Sequence, residues 1–173
     1  PKDLLDTLKK SQVFTSLNKK NNIKLVSGGE SRKDSVINGL RVVKKANDIV
    51  CIHDAARPFI KTSYIKYSID ACSEFDGAII AIPTVDTVKK ADNQLIKNTI
   101  DRQSLWMAQT PQTFKKDKLL YAIKNSSYLN ITDESMLMEE ANFKIKLIEG
   151  DYSNFKITNE IDWELAKVIV KGE

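Results

Sequence analysis

The sequence predicts an α/β fold: a doubly wound, mostly parallel sheet with helices on both faces and a protruding β-hairpin arm. Three observations carry this. Apolar runs at 49–52 and 77–82, the second almost unbroken, have the character of strands buried on both faces. Segments of helical periodicity at 34–45 and 62–75 alternate with them. The order strand, helix, strand, helix, strand favours parallel strands joined by right-handed crossovers. A mostly polar stretch at 84–101 then has the pattern of a hairpin, and it suits an interface with a second subunit better than a core.

The elements follow in order. Leu4, Leu5 and Leu8, with Val13, Phe14 and Leu17, predict a first helix. Residues 23–26 predict a strand ending at Gly28 and Gly29, after which Asp34 or Ser35 caps a helix with Val36, Ile37, Leu40 and Val43 on one face. The helix at 62–75 turns Ile65, Ile69 and Cys72 inward. The hairpin pairs 84–92 with 95–101 around Asp92-Asn93-Gln94. Helices follow at 115–124 and 133–142, the second capped by Thr132, and a strand at 144–149. A strand end at 154–158 points Lys156 away from Phe155 and Ile157. Asn159 caps a last helix to about Val170, with Ile161, Leu165 and Val168 inward. Residues 1–173 are expected to form a single domain, long enough to bury a core.

Composition narrows the function. Apolar residues make up 42% and charged residues 29%, as in ordinary soluble domains. No apolar run approaches the ~20 residues of a membrane span. The opening Pro1-Lys2-Asp3 is unlike a signal peptide. Cys51 and Cys72 are expected as reduced core residues of a cytoplasmic protein. The net charge of +4 rests mainly on lysines mixed with Asp and Glu along the chain, a solvated surface rather than a nucleic-acid groove. Arginine is confined to Arg32, Arg41, Arg57 and Arg102. Three of these fall in the motifs below, where a planar fork of donors is useful.

Those motifs sit at chain positions able to meet a ligand. The strand at 49–52 breaks into His53-Asp54-Ala55-Ala56-Arg57-Pro58, at the sheet edge where open α/β folds bind ligands. The alanines admit a ligand close to the backbone, Arg57 suits phosphate, and Asp54 can orient a hydroxyl or a metal-bound water; the plain alternative is a surface ion pair. Ser27 to Ser35, with Gly28 and Gly29, offers backbone amides to a flat ring or an anion but lacks a dinucleotide or P-loop spacing. Arg102 at the hairpin base and Thr110 offer an anion clamp and a hydroxyl, whereas Trp106 is expected in the core. Lys156 holds a phosphate or is simply solvated. His53, the sole histidine, is expected to be structural, and no Cys/His cluster has metal-ligand spacing.

Together the segments GGESRKDSV (28–36), HDAARPF (53–59), PTVDTVK (83–89), DRQSLWMAQTPQTF (101–114), TDE (132–134) and NFKIT (154–158) resemble, in order and spacing, the 2-C-methyl-D-erythritol 4-phosphate cytidylyltransferase family. The resemblance runs from about residue 20 onward. It implies a Rossmann-like nucleotidyltransferase of isoprenoid precursor synthesis that joins CMP from CTP to a sugar-alcohol phosphate, releases pyrophosphate, uses Mg²⁺ bound mainly through the CTP phosphates, and works as a homodimer with exchanged arms. It implies that Gly29, Glu30 and Ser35 meet the cytosine and that Ala55 admits the ribose. Asp54, Arg57, Thr110, Thr132 and Lys156 would surround the sugar phosphate, with Lys156 stabilising charge at the reacting phosphate. Thr87 and Arg102 would reach the partner subunit's substrate. The related ribitol-5-phosphate cytidylyltransferases are the nearest alternative, although the double alanine at 55–56 favours the methylerythritol enzymes. The family's glycine-rich triphosphate loop has no counterpart here, so this chain alone is expected to be inactive. A catalytically inactive sugar-phosphate-binding module and a purely structural dimerisation protein are the other readings.

Overall fold

The computed structural model describes residues 2–20, 23–44, 48–128 and 131–172, and its contacts divide it into two units, Pro1–Asn47 and Asp48–Glu173. In the first unit, Ser11 splits the expected first helix into α1 (Lys2–Lys10) and α2 (Gln12–Lys20). Its hydroxyl donates to the Leu8 carbonyl at 2.7 Å and accepts the Phe14 N–H at 3.1 Å, closing one helix and capping the next. The strand expected at 23–26 is absent: this stretch has neither helix nor strand, since an apolar run becomes a strand only when a neighbour completes its ladder. Helix α3 spans Arg32–Val42.

The cap of α3 is a correction to the sequence reading. Ser31, not Asp34 or Ser35, is the cap residue; it and Asp34 bond reciprocally in a capping box. Ser35 instead accepts the Gly29 N–H at 3.0 Å. No described glycine has a positive φ. Gly29 is required by crowding, because a Cβ there would lie 2.1 Å from Asp34 Cβ.

The second unit is built on a four-stranded sheet of order β1-β5-β2-β6, from β1 (Ile49–Ile52), β2 (Gly77–Pro83), β5 (Trp106–Lys115) and β6 (Ile145–Glu149). β2 and β6 pair in parallel, and β1 and β2 each pair antiparallel with β5. Three strands therefore share one direction, and β5, which the sequence did not reveal as a strand, runs against them through the middle. Successive residues of β5 face opposite ways. Thr113 bonds Ser68 of α4 (Thr62–Ala71) at 2.8 Å, whereas Gln112 reaches the start of α6 (Glu134–Glu140). Helices thus cover both faces. Phe114, Ile80, Leu119, Leu137 and Met138 form the centre of the core; Leu119 belongs to α5 (Lys116–Asn125). Gly77 leaves room for Phe114, whose ring would lie 2.3 Å from a Cβ.

Other expectations change once packing is visible. Asp133, not Thr132, caps α6 by accepting the Met136 N–H. Its carboxylate also takes the Gln112 side chain at 2.8 Å, a partner that local sequence cannot supply. In α7 (Glu160–Gly172) the expected cap Asn159 does accept the Asp162 N–H at 3.0 Å. However, Ile161, Leu165 and Val168 are exposed and Ala166 is the buried residue; periodicity marks a stripe but not which stripe meets the body. Ile69 and Trp106 are likewise exposed, as is Cys51 on the outermost strand, while Cys72 is buried and both thiols are free. Residues 155–158 form no strand. The hairpin is present as β3 (Val88–Asp92) and β4 (Leu95–Ile100). These pair only with each other among the described residues, and Asn93 and Gln94 both have positive φ, as a type I′ turn requires.

Candidate active site

The chain leaves β1 at Ile52 and turns at once, the Arg57 N–H donating to the Asp54 carbonyl at 2.9 Å. Thr110 on the neighbouring β5 holds this turn. Its hydroxyl accepts the Asp54 N–H at 2.9 Å and meets His53 Nδ1 at 2.9 Å. His53 Nε2 lies 2.9 Å from the Arg57 carbonyl, which can only accept, so this nitrogen carries a proton. The structural role expected of His53 is the one observed.

Three charges converge on this turn. Asp54 Oδ2 lies 3.1 Å from Lys156 Nζ and 3.6 Å from Arg57 Nε. The second distance is an ion pair but too long for a hydrogen bond, so Nε is buried without one. Arg57 donates instead through its terminal nitrogen to the Asn154 carbonyl at 2.8 Å. Burial pulls the Arg57 guanidinium below its ordinary pKa, and the Asp54 charge opposes that pull. Two cations against one carboxylate leave positive charge in excess, at the strand end where an anion can reach it. The Lys156 side chain is 46% exposed against 13% for Arg57, so the lysine is the cation nearer solvent.

A second ion pair braces the segment that carries Lys156. Asp151 lies 2.6 Å from Lys61 and accepts the Ser153 N–H at 2.7 Å, capping a 3-10 turn at Tyr152–Asn154. The bond to Lys61, with those to Ser153, holds the Asp151 carboxyl down to about 2.

Of the sequence candidates, Asp54, Arg57, Thr110 and Lys156 come together. Ala55 is exposed on the same turn, and the Ala56 carbonyl accepts the Ile157 N–H at 2.8 Å. Thr132 is exposed, its hydroxyl 3.9 Å from Met136 Sδ. Thr87 is exposed at the entrance to the hairpin, and Arg102 closes the hairpin base by donating to the Val85 carbonyl. Gly29, Glu30 and Ser35 form the glycine turn of the first unit. Sequence reasoning gave no role to Asn154 or Gln109, which are buried beside the site; a polar side chain bordering a cationic motif was the one available signal. Among the described residues no group of three or more His, Cys, Asp or Glu converges on a metal position. Asp54, already facing Lys156 and Arg57 at a turn with positive charge in excess, offers a divalent cation no free carboxylate.

The family model for 2-C-methyl-D-erythritol 4-phosphate cytidylyltransferase (IspD) matches residues 5–172. The chain belongs to this cytidylyltransferase family. Its members include the cytidylyltransferase of Prochlorococcus marinus strain MIT 9301, 43% identical over 85% of this chain and 67% of its own length. The Clostridioides difficile protein of the same name is 40% identical over 95% of the chain and 70% of its own length. A bifunctional enzyme IspD/IspF from Desulfotalea psychrophila is 38% identical over 94% of the chain but only 42% of its own length. The chain thus spans less than half of that relative and about two thirds of the single-function cytidylyltransferases. Among solved structures, 4-diphosphocytidyl-2C-methyl-D-erythritol synthase from Anaerococcus prevotii superposes with a TM-score of 0.83 at 29% identity, covering 92% of this chain and 73% of that one. The cytidylyltransferase of Thermus thermophilus gives 0.77 at 26% identity, covering 84% and 72%. The Rossmann-like α/β architecture is therefore that of the cytidylyltransferases.

Proposed function

We propose that this chain serves the transfer of CMP from CTP to 2-C-methyl-D-erythritol 4-phosphate with release of pyrophosphate. The observation that carries the reading is the Asp54, Arg57 and Lys156 cluster at the end of β1, in a chain of this family. In the reaction an oxygen of the sugar phosphate attacks the α-phosphorus of CTP, the bond to the β-phosphate oxygen breaks, and pyrophosphate leaves with the electron pair. Such transfers depend on positioning and charge neutralisation more than on covalent protein chemistry.

The residues divide the work accordingly. Arg57 and Lys156 offset the charge of the sugar phosphate, and Lys156, nearer solvent, meets the reacting oxygens. Asp54 orients a sugar hydroxyl, and Thr110 fixes Asp54. Thr132 adds a hydroxyl on the sugar-phosphate side. Gly29, Glu30 and Ser35 read the cytosine, and Ala55 leaves space for the ribose. Mg²⁺, when bound through the CTP phosphates, would supply further charge neutralisation. The exposed hairpin passes to a second subunit, where Thr87 and Arg102 complete the partner's site. Free cysteines accord with a reducing, cytoplasmic setting.

Calorimetric titration of the chain with CTP and with the sugar phosphate, separately, tests this. Binding of both is expected. Binding of the sugar phosphate alone identifies an inactive binding module, and binding of neither overturns the reading. Ribitol 5-phosphate as competitor decides the sugar.

A further inference from the structure

Lys156 stands on chain without regular secondary structure: the 3-10 turn ends at Asn154, and 155–158 join no strand. Its ammonium is nevertheless set 3.1 Å from Asp54. Holding irregular chain in one place costs conformational entropy that specific contacts must offset. Two buried amides make those contacts. Gln109 of β5 is 4% exposed and Asn154 is 1% exposed. Gln109 Nε2 donates to the Asp151 carbonyl at 3.2 Å, and its Oε1 accepts from Asn154 Nδ2 at 2.9 Å. The same Nδ2 donates to the Thr110 carbonyl at 2.9 Å. The Asn154 carbonyl accepts from Arg57 at 2.8 Å. Gly150 lets the segment approach, because a Cβ there would lie 2.5 Å from Ile80 Cγ2 and 3.0 Å from Gln109 Oε1. Asn154 therefore touches the strand that carries Thr110 and the guanidinium of Arg57, and it lies two residues from Lys156.

We propose that Asn154 is a positioning residue for the cations of the site, its side-chain amide, paired with Gln109, fixing Lys156 and Arg57 relative to Thr110. The assignment deepens the functional reading above and rests on it for the role of Lys156. It does not rest on it for the placement of Lys156. Asn154 acts through these neighbours and not on the substrate. An ordinary core residue would contribute volume; here the two hydrogen bonds donated by the side chain carry the effect, by holding the main chain whose carbonyl receives Arg57. Aspartate keeps the shape but turns the donor into an acceptor facing two acceptors.

The test uses the full chain with lysines labelled as ¹³C-dimethyl-lysine, the Lys156 resonance being assigned by its loss in Lys156→Arg. Without any ligand, Asn154→Ala and Asn154→Asp should each move the Lys156 signal into the envelope of solvated lysines, while the signal of Lys115, at the far end of β5, stays in place. An unmoved Lys156 signal in a folded Asn154→Ala overturns the proposal, as does an Asn154→Asp that behaves like the parent. If Asn154→Ala does not fold, Gln109→Met removes the same anchor with a side chain of matching length; a shifted Lys156 signal supports the proposal and an unshifted one overturns it. In the same samples, affinity for 2-C-methyl-D-erythritol 4-phosphate should weaken by roughly 10–100-fold, the scale for losing an outer partner of a bound group, with CTP affinity changed less than about twofold. A loss shared equally by both ligands indicates a general structural defect and counts against the proposal. A parent chain that binds no sugar phosphate refutes the functional reading instead, and the ligand-free Lys156 signal still judges the role of Asn154.

Discussion

One carboxylate oxygen of Asp54 serves two cations, at 3.1 Å and 3.6 Å, so each cation at the site is only partly neutralised before substrate arrives. In a complete enzyme of this kind, carrying the family's glycine-rich loop, Lys156→Ala is expected to lower pyrophosphate release by roughly two to three orders of magnitude, the scale for removing one charge-stabilising group from a preorganised site. Turnover near that of the parent would return Lys156 to a solvated surface role. The Asp151–Lys61 pair makes a separate prediction about pH. Asp151 is depressed from 3.8 to about 2 and Lys61 is raised above 10.5. The carboxylate's share of stability is complete above about pH 4 and fades as pH falls toward 2. The ammonium's share is complete below 10.5, fades as pH rises from there toward the raised value, and is gone above it. Chemical denaturation of parent and Asp151→Asn should therefore differ by a constant amount across neutral pH and converge in acid; a difference that grows in acid would contradict it. Asp54 and Arg57 could be marked as candidates in the sequence because their charge types follow a strand end, whereas Lys156 was placed on a strand end at 154–158 that the structure does not have, and its charge alone left it between a phosphate ligand and a solvated lysine. The bracing by Thr110 and Asn154 was not legible, since their partners lie 57 and 45 positions away and only the tertiary structure joins them.

At the scale of elements, caps and turns divide along the same line. Asn159 was readable because its partner Asp162 is local. At α3 the sequence pointed to Asp34 or Ser35, and Ser31, a capping type as good as either, takes the cap through its reciprocal bond with Asp34. At α6 the tertiary bond from Gln112 to Asp133 moves the cap one residue past Thr132. The hairpin was legible from its turn and its polarity, but not its strain. Gln94, at φ 65°, is a side-chain-bearing residue in glycine's territory. Gln94→Gly should stabilise the hairpin by about 0.5–1 kcal/mol, seen as slower amide exchange in β3 and β4. Faster exchange would mean that the Gln94 side chain contributes something its exposed position does not suggest.

For the whole molecule, the sequence showed the parallel strands and the helices between them, because those carry their own periodicities. It hid β5, whose Gln-Thr-Pro-Gln-Thr run is too polar to announce a buried strand. Yet Gln109, Thr110, Gln112 and Thr113 are all buried, each bonded to a helix, a turn or a loop. Excising residues 88–100 should leave this sheet folded and remove the means of pairing. Light scattering is expected to give a dimer for the parent and a monomer for the deletion; a monomeric parent at micromolar concentration would refute the exchanged arm. The bond from Arg57 to Asn154 joins positions 97 apart. At translation rates of about 5–20 residues per second, roughly 5–20 s separate the synthesis of its two ends. A nascent chain therefore holds Asp54 and Arg57 before the lysine that shares Asp54 exists, and the anion site closes only once residues 154–156 have been made.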